Sequence, residues 1–324
     1  MKKKFAFFMA LMLLVSMIVV GCGGTEDTGS DEVQFVTIAT GGSAGAYFAL
    51  GGTVAKLLNE NVENVNASVQ STGASAVNAT LMGEGKIEIA FAMNDVVSYA
   101  FTGTEVFADK GKFDNIRGIA SLYPNFVQII TLERSGIKEV EDMRGKRIGV
   151  GAPGSGTEVN ARQILAAHGI TYDDIDADFL SYAEAAEQMK NGAIDAAFLT
   201  SGIPNAAVLD LATTQDVVII PIRREIIENS LAKDFPFYSP EEIPAGMYDE
   251  AHAVPTAAVT TILITRAELS EELVYNITKT IFENLEALGN THASGKKIDL
   301  DKVRIAMPVP LHPGAEKFFS ELGK

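Results

Sequence analysis

A chain of 324 residues, 47% hydrophobic and 21% charged, holds enough apolar material for two domains of ordinary size. Three of its 26 basic residues are Lys2, Lys3 and Lys4, so the remainder carries 42 acids against 23 bases; an acidic surface argues against nucleic acid and anionic lipid as electrostatic partners, but not against a small anion held by local donors. The one cysteine, Cys22, rules out an intrachain disulfide and a cysteine metal site, and no His, Asp or Glu spacing indicates a metal; no cofactor is expected.

The basic start is followed by an apolar run over 5–20 broken only by Ser16, short for a permanent span and ordinary for an export signal. It ends in Val19-Val20-Gly21-Cys22, which resembles the bacterial lipobox. Residues 1–21 are therefore expected to be removed and Cys22 lipidated, holding the protein on the outer face of the cytoplasmic membrane. A plain signal peptide with an incidental cysteine is the alternative. Residues 22–32 read as a flexible tether of Gly, Ser, Thr and acids.

Short β-rich runs then alternate with helical runs. Strands are expected over 33–40, 67–70 and 87–93, with helices over 46–61, 75–85 and 95–101. An extended stretch over 116–132 is interrupted at Tyr123-Pro124-Asn125. A second series follows: strands over 147–150, 177–180, 193–200 and 217–222, with helices over 158–168, 184–191 and 205–213. Two such series predict two α/β domains built on parallel sheets. Residues 235–255, with four prolines, read as a long ordered loop or a segment packed near a cleft. Another extended run covers 256–265, and a long helix capped by Ser270 covers 271–288, before a proline-punctuated tail and a last helix over 315–322.

The stretch GVGAPGSGTEVNARQIL, from Gly149 to Leu165, is strand, Gly/Ser/Thr loop and helix start, an arrangement that presents free amides and hydroxyls to an anion. The same device recurs over 40–47 and 70–76. Candidate ligand-binding residues are thus Gly42, Ser43 and Tyr47; Gln70, Ser71, Thr72 and Ala74; and Gly154, Ser155, Gly156 and Thr157. Gly154 and Gly156 read as clearing room for a ligand. Ser155 with Glu158 also fits a capping box, as does Ser181 with Glu184, which shows no other functional mark. Asn94, Thr200 and Ser201 end strands at the edge where open α/β sheets bind ligands, and Asp95 either accepts from an amino group or caps its helix.

Two enzyme motifs also match. Gly41-Gly42-Ser43-Ala44-Gly45 has the nucleophile-elbow form of a serine hydrolase, but of the downstream histidines His312 lies in the proline-rich tail. Gly149, Gly151 and Gly154 have the dinucleotide spacing, but no acid ends the next strand, and an exported chain does not meet cytoplasmic NAD. A non-enzymatic binder is the preferred reading.

The phrases QSTGASAVNATLM, ASLYP, GVGAPGSGTEVNARQILAAHGITYDDI, FPFYSPEEIPAGMY and MPVPLHPGA resemble the TAXI-type solute receptors of TRAP (tripartite ATP-independent periplasmic) transporters across the mature chain. That resemblance implies an α/β, type II periplasmic-binding-protein-like fold: domain I from 33–124 and 256–324, domain II from 125–255, an interdomain cleft and two hinge crossings. It implies a small anionic solute, glutamate- or glutamine-like, delivered to a membrane permease, with Tyr47 and Tyr238 shaping the pocket. Where relatives often read Thr-Ala-Gly-Val-Pro, this chain has Thr200-Ser201-Gly202-Ile203-Pro204. The alternatives are a receptor of the same fold serving an ATP-driven importer for sulfonates or similar solutes, and an exported hydrolase using Ser43.

Overall fold

The computed structural model describes residues 33–324; the leader, Cys22 and the tether through Glu32 lie outside the described residues. Strands β1 (Gln34–Ala39) and β2 (Val65–Gln70) pair in parallel, and β3 (Ile89–Met93) joins the other side of β1, also in parallel. Every residue of β3 is buried, as its unbroken apolar run requires of a strand covered on both faces. Helices α1 (Ala46–Asn61), α2 (Ser75–Gly83) and α3 (Asn94–Thr102) follow these three strands in turn.

The chain then enters the long strand β4 (Ile116–Leu132) and builds a second parallel wing. Here β5 (Arg147–Gly149) lies between β6 (Asp176–Asp178) and β7 (Ala196–Ser201). Helices α4 (Gly156–Ala167), α5 (Tyr182–Lys190) and α6 (Ala206–Ala212) follow these strands. Strands β8 (Val217–Ile220) and β9 (Ser239–Ile243) add to β4 and to β10 (Val254–Arg266) respectively. The tail is helical: α7 (Glu271–Glu283), α8 (Leu285–Thr291) and α9 (Pro313–Glu321).

The strand order is β2-β1-β3-β10-β4-β7-β5-β6, one continuous sheet path. The expectation of purely parallel sheets is corrected: the two wings are parallel, but β4 and β10 lie antiparallel to each other and to their neighbours β7 and β3. Tyr123-Pro124-Asn125 does not interrupt β4. Pro124 stands opposite Thr260 of β10 where β7 has not yet joined, since β7 pairs only from Phe126 onward, and a strand with one neighbour tolerates a missing N–H. The proline-rich 235–255 is not simply a loop, because it contributes β9, with Pro240 on a sheet edge. Helix 271–288 breaks at Asn284, whose side chain donates to the Thr280 carbonyl at 2.8 Å and competes with the helical ladder.

The core flanks the sheet on both faces. Ile38, Leu50, Phe91, Ile277 and Phe319 anchor one cluster, and Phe126, Ile130, Leu199 and Val208 another beside the second wing. Each such side chain contributes about 1.5–3 kcal/mol through burial. Residues Gln34–Lys324 form one compact unit. Among the described residues no helix is long and apolar enough to cross a membrane.

Candidate functional site

A cavity of about 340 Å³ opens where the carboxyl ends of β1, β2, β3, β5, β6 and β7 meet, the edge of an α/β sheet at which helix N-termini and strand-end loops converge. Side chains tie its walls together. Thr40 donates its hydroxyl to the Gln70 carbonyl at 3.0 Å, and Ser71 donates to Gly41 O at 2.9 Å. Thr72 donates to Thr40 O at 2.8 Å and accepts from the Ala74 amide at 2.9 Å. Asn78, fully buried in α2, donates to the carbonyls of Thr40 and Phe91.

Of the sequence-predicted residues, the cavity is lined by Gly42, Ser43, Tyr47, Ser71, Thr72, Ala74, Ser155, Thr200 and Ser201. Their roles differ. Ser71 and Thr72 donate to backbone carbonyls, so a ligand meets their loop rather than their hydroxyl hydrogens. Ser43 is exposed just before α1, whose N-cap residue, Gly45, gives no side-chain cap. Tyr47 stacks on Phe91 at 5.5 Å and accepts from Asn125 Nδ2 at 2.7 Å; burial holds its phenol above the usual range. Ser155 both lines the cavity and caps α4, accepting from the Glu158 amide at 3.0 Å. Ser201 is spent: it accepts from Gln128 and Asn205 at 2.9 Å each and donates to Gly202 O. Thr200 is 2% exposed, and its Oγ1 has no partner among the described residues. A buried polar atom left without a partner is uncommon, which marks this position beside the cavity.

Gln70, Asn94, Gly154, Gly156 and Thr157 do not line the cavity. The Gln70 carbonyl holds Thr40. Asn94 donates to Ala306 O and accepts from the Thr260 amide, fastening α3 to β10. Thr157 Oγ1 bonds the Tyr182 hydroxyl at 2.8 Å. The glycines are a correction to the reading that they clear room for a ligand. The Gly154 carbonyl accepts from the Ala76 and Val77 amides at 3.1 Å each, so the second wing's loop caps helix α2 of the first. A Cβ on Gly73 would sit 2.6 Å from Pro153 O, and one on Gly156 would strike Met93 Sδ. These glycines admit the opposite wall. Gly151 and Gly154 also hold φ of 103° and 72°, where other residues are strained. Tyr238 is likewise corrected: it is buried away from the cavity, donating to Gln163.

The sequence reading gave Ser181 and Glu184 a capping role alone and did not single out Tyr182. All three line the cavity. Tyr182 donates to Thr200 O at 2.7 Å and would touch a Cβ at Gly45, so it spans from one wall to the other; burial pushes its phenol up to about 12. The signal was available, because Ser181 opens a helix just after a strand, as Ser75 and Ser155 do. Ser181 holds the Glu184 carboxyl below the usual range by donating its hydroxyl and amide. Glu184 is the one ionisable carboxylate among the lining residues, and no Lys, Arg or His is among them. With α2 capped by the Gly154 carbonyl, α4 by Ser155 and α5 by Ser181, α1 is the helix start at the cavity left without such a cap. His312 caps α9, donating nothing to Ser43, so the elbow has no base beside it. Among the described residues no group of three His, Cys, Asp or Glu is placed to hold a metal.

The fold is the α/β fold of periplasmic binding proteins. It is similar to PhnD1 from Prochlorococcus marinus, solved in complex with methylphosphonate (TM-score 0.56, 12% identity, covering 91% of this chain and 100% of that one). It is similar also to the periplasmic aliphatic sulphonate binding protein SsuA from Escherichia coli (TM-score 0.50, 15% identity, covering 89% and 83%). Residues 38–323 match the NMT1-like family, and the chain belongs to it.

Proposed function

We propose that the protein is an exported solute-binding receptor that captures a small organic oxyanion in the cavity between its two wings. What supports this is a cavity of about 340 Å³ where strand-end loops and helix starts converge, with the unpartnered Thr200 hydroxyl buried beside it and Glu184 as its one charged lining residue. The walls would belong to two domains, 33–124 with 256–324 and 125–255, moving about β4 and β10. A solute bridging them favours the closed form through contacts made only there, as charge-assisted hydrogen bonds replace water. A thermal-shift screen over amino acids, dicarboxylates, alkylsulfonates and alkylphosphonates, confirmed by calorimetry, tests it; no stabilisation by any of them rejects the reading.

For the membrane partner, the reading favoured is an ATP-driven importer. Its support is the NMT1-like family match and the likeness to a sulphonate-binding protein, the solute class expected with that partner. The TRAP permease is the second reading, supported by the long TAXI-like phrases of the sequence. Uptake that fails on ATP depletion under a clamped sodium gradient supports the first; uptake that fails on collapse of that gradient supports the second. Lipidation at Cys22 belongs to the same proposal, and the mass of the exported protein tests it.

A further inference from the structure

Outside the cavity, one buried polar cluster is unused by solute capture. Asp95, at the start of α3 in the first wing, accepts from Asn160 Nδ2 of α4 in the second at 2.8 Å. Asn160 also donates to the Tyr238 hydroxyl at 2.8 Å, Tyr238 donates to Gln163 Oε1 at 2.7 Å, and Gln163 donates to the Tyr99 hydroxyl at 3.2 Å. Asp95 and Asn160 are both fully buried, and Asp95 Oδ1 and Asn160 Oδ1 have no partner among the described residues. Both orphans are acceptors, and a proton on the Asp95 carboxyl would give the pair a further donor.

We propose that the Asp95–Asn160 contact is a latch between the two walls, setting how readily the cleft closes without touching the solute. It rests on the proposed closing of the cleft. Burial is the main cause that pushes the Asp95 carboxyl up to about 6, against the opposing pull of the Val96 amide and of Asn160. The groups facing it are Tyr99 of its own helix, Asn160 and Gln163 of α4, and Tyr238; Arg162, which acts on Tyr99 and Tyr238, pairs with Glu105 and with Glu158 at 3.5 Å each. In the proposed open form Asp95 would meet water, and its carboxyl would return toward its ordinary value of 3.8. The closed form therefore binds the proton more tightly, and closure strengthens as pH falls through about 6, reaching its full effect below about 4. Between pH 7.5 and 5 the closed-to-open ratio rises about tenfold.

The test uses no solute. Full-length protein carrying Cys22→Ser, Lys56→Cys on α1 and Lys190→Cys at the end of α5 is spin-labelled, and the distance distribution is recorded from pH 7.5 to 5. The expected result is a roughly tenfold shift toward the short distance in the otherwise native protein. Asp95→Asn should stay short at both pH values, and Asn160→Ala should stay long. A native-like distribution that does not move with pH overturns the latch, as does an Asp95→Asn protein that still responds. If Asp95→Asn does not fold, the native titration and Asn160→Ala decide alone. Failure of every solute in calorimetry bears instead on the receptor reading.

Discussion

Thr200 and Ser201 are neighbours in sequence with opposite duties. Thr200 Oγ1 is buried without a partner, whereas Ser201 Oγ holds Gln128 and Asn205. Thr200→Val should leave the urea midpoint nearly unchanged and weaken solute binding about tenfold in calorimetry, the loss expected for one hydrogen bond to a charged group. Ser201→Ala should do the reverse: about 1–2 kcal/mol of stability lost as two buried amides lose a partner, with a smaller change in affinity. A single sequence names both residues as strand-end hydroxyls but cannot rank them, because the ranking depends on Gln128 and Asn205, 73 and 4 residues from Ser201. The glycines were misread for a similar reason. A small residue in a loop announces a close approach but not what approaches, and here Pro153, Val77 and Met93 are among the groups a Cβ would meet.

At the scale of elements, local chemistry was legible. Ser270 caps α7 by accepting from the Leu273 amide at 3.2 Å, as the acids following it suggested. Ser270→Ala should cost about 1 kcal/mol in urea unfolding without altering solute affinity, since α7 is remote from the cavity. Strand–loop–helix units were equally readable in both wings, because apolar runs, glycines and capping hydroxyls all act within a few residues. What was not legible is the pairing of strands: β4 and β10 are partners more than a hundred residues apart, and their antiparallel sense comes from the chain's crossing and returning. The break at Asn284 escaped notice because a side chain that competes with the helix ladder leaves the apolar period intact.

Across the whole molecule, pH acts in two directions. Arg147 holds Asp195 below the usual carboxylate range, and Arg304 holds Glu316 there. A depressed group contributes stability that is present above its unfolded value near 4 and lost as pH falls through its folded value. Asp95, raised, contributes stability that is lost as pH rises through about 6. The 42 acids against 26 bases add repulsion that weakens on mild acidification. Urea midpoints should therefore rise from pH 7.5 to 5 and fall below about 4, and Asp95→Asn should flatten the rise. A solute at a hundred times its Kd should add about 2.7 kcal/mol at any of these pH values.

By itself the sequence determined the alternation of strands and helices, the caps, and the loops that end at one edge of the sheet, since each is set by neighbours a few residues away. It also carried the resemblance from which a solute receptor was expected. Only the tertiary structure decided which hydroxyls are free, that Tyr182 crosses to the opposite wall, and that the glycine loop of 151–156 meets the other wing. Those outcomes depend on groups brought together from distant parts of the chain, where burial decides whether a polar atom is spent on the fold or left for a ligand.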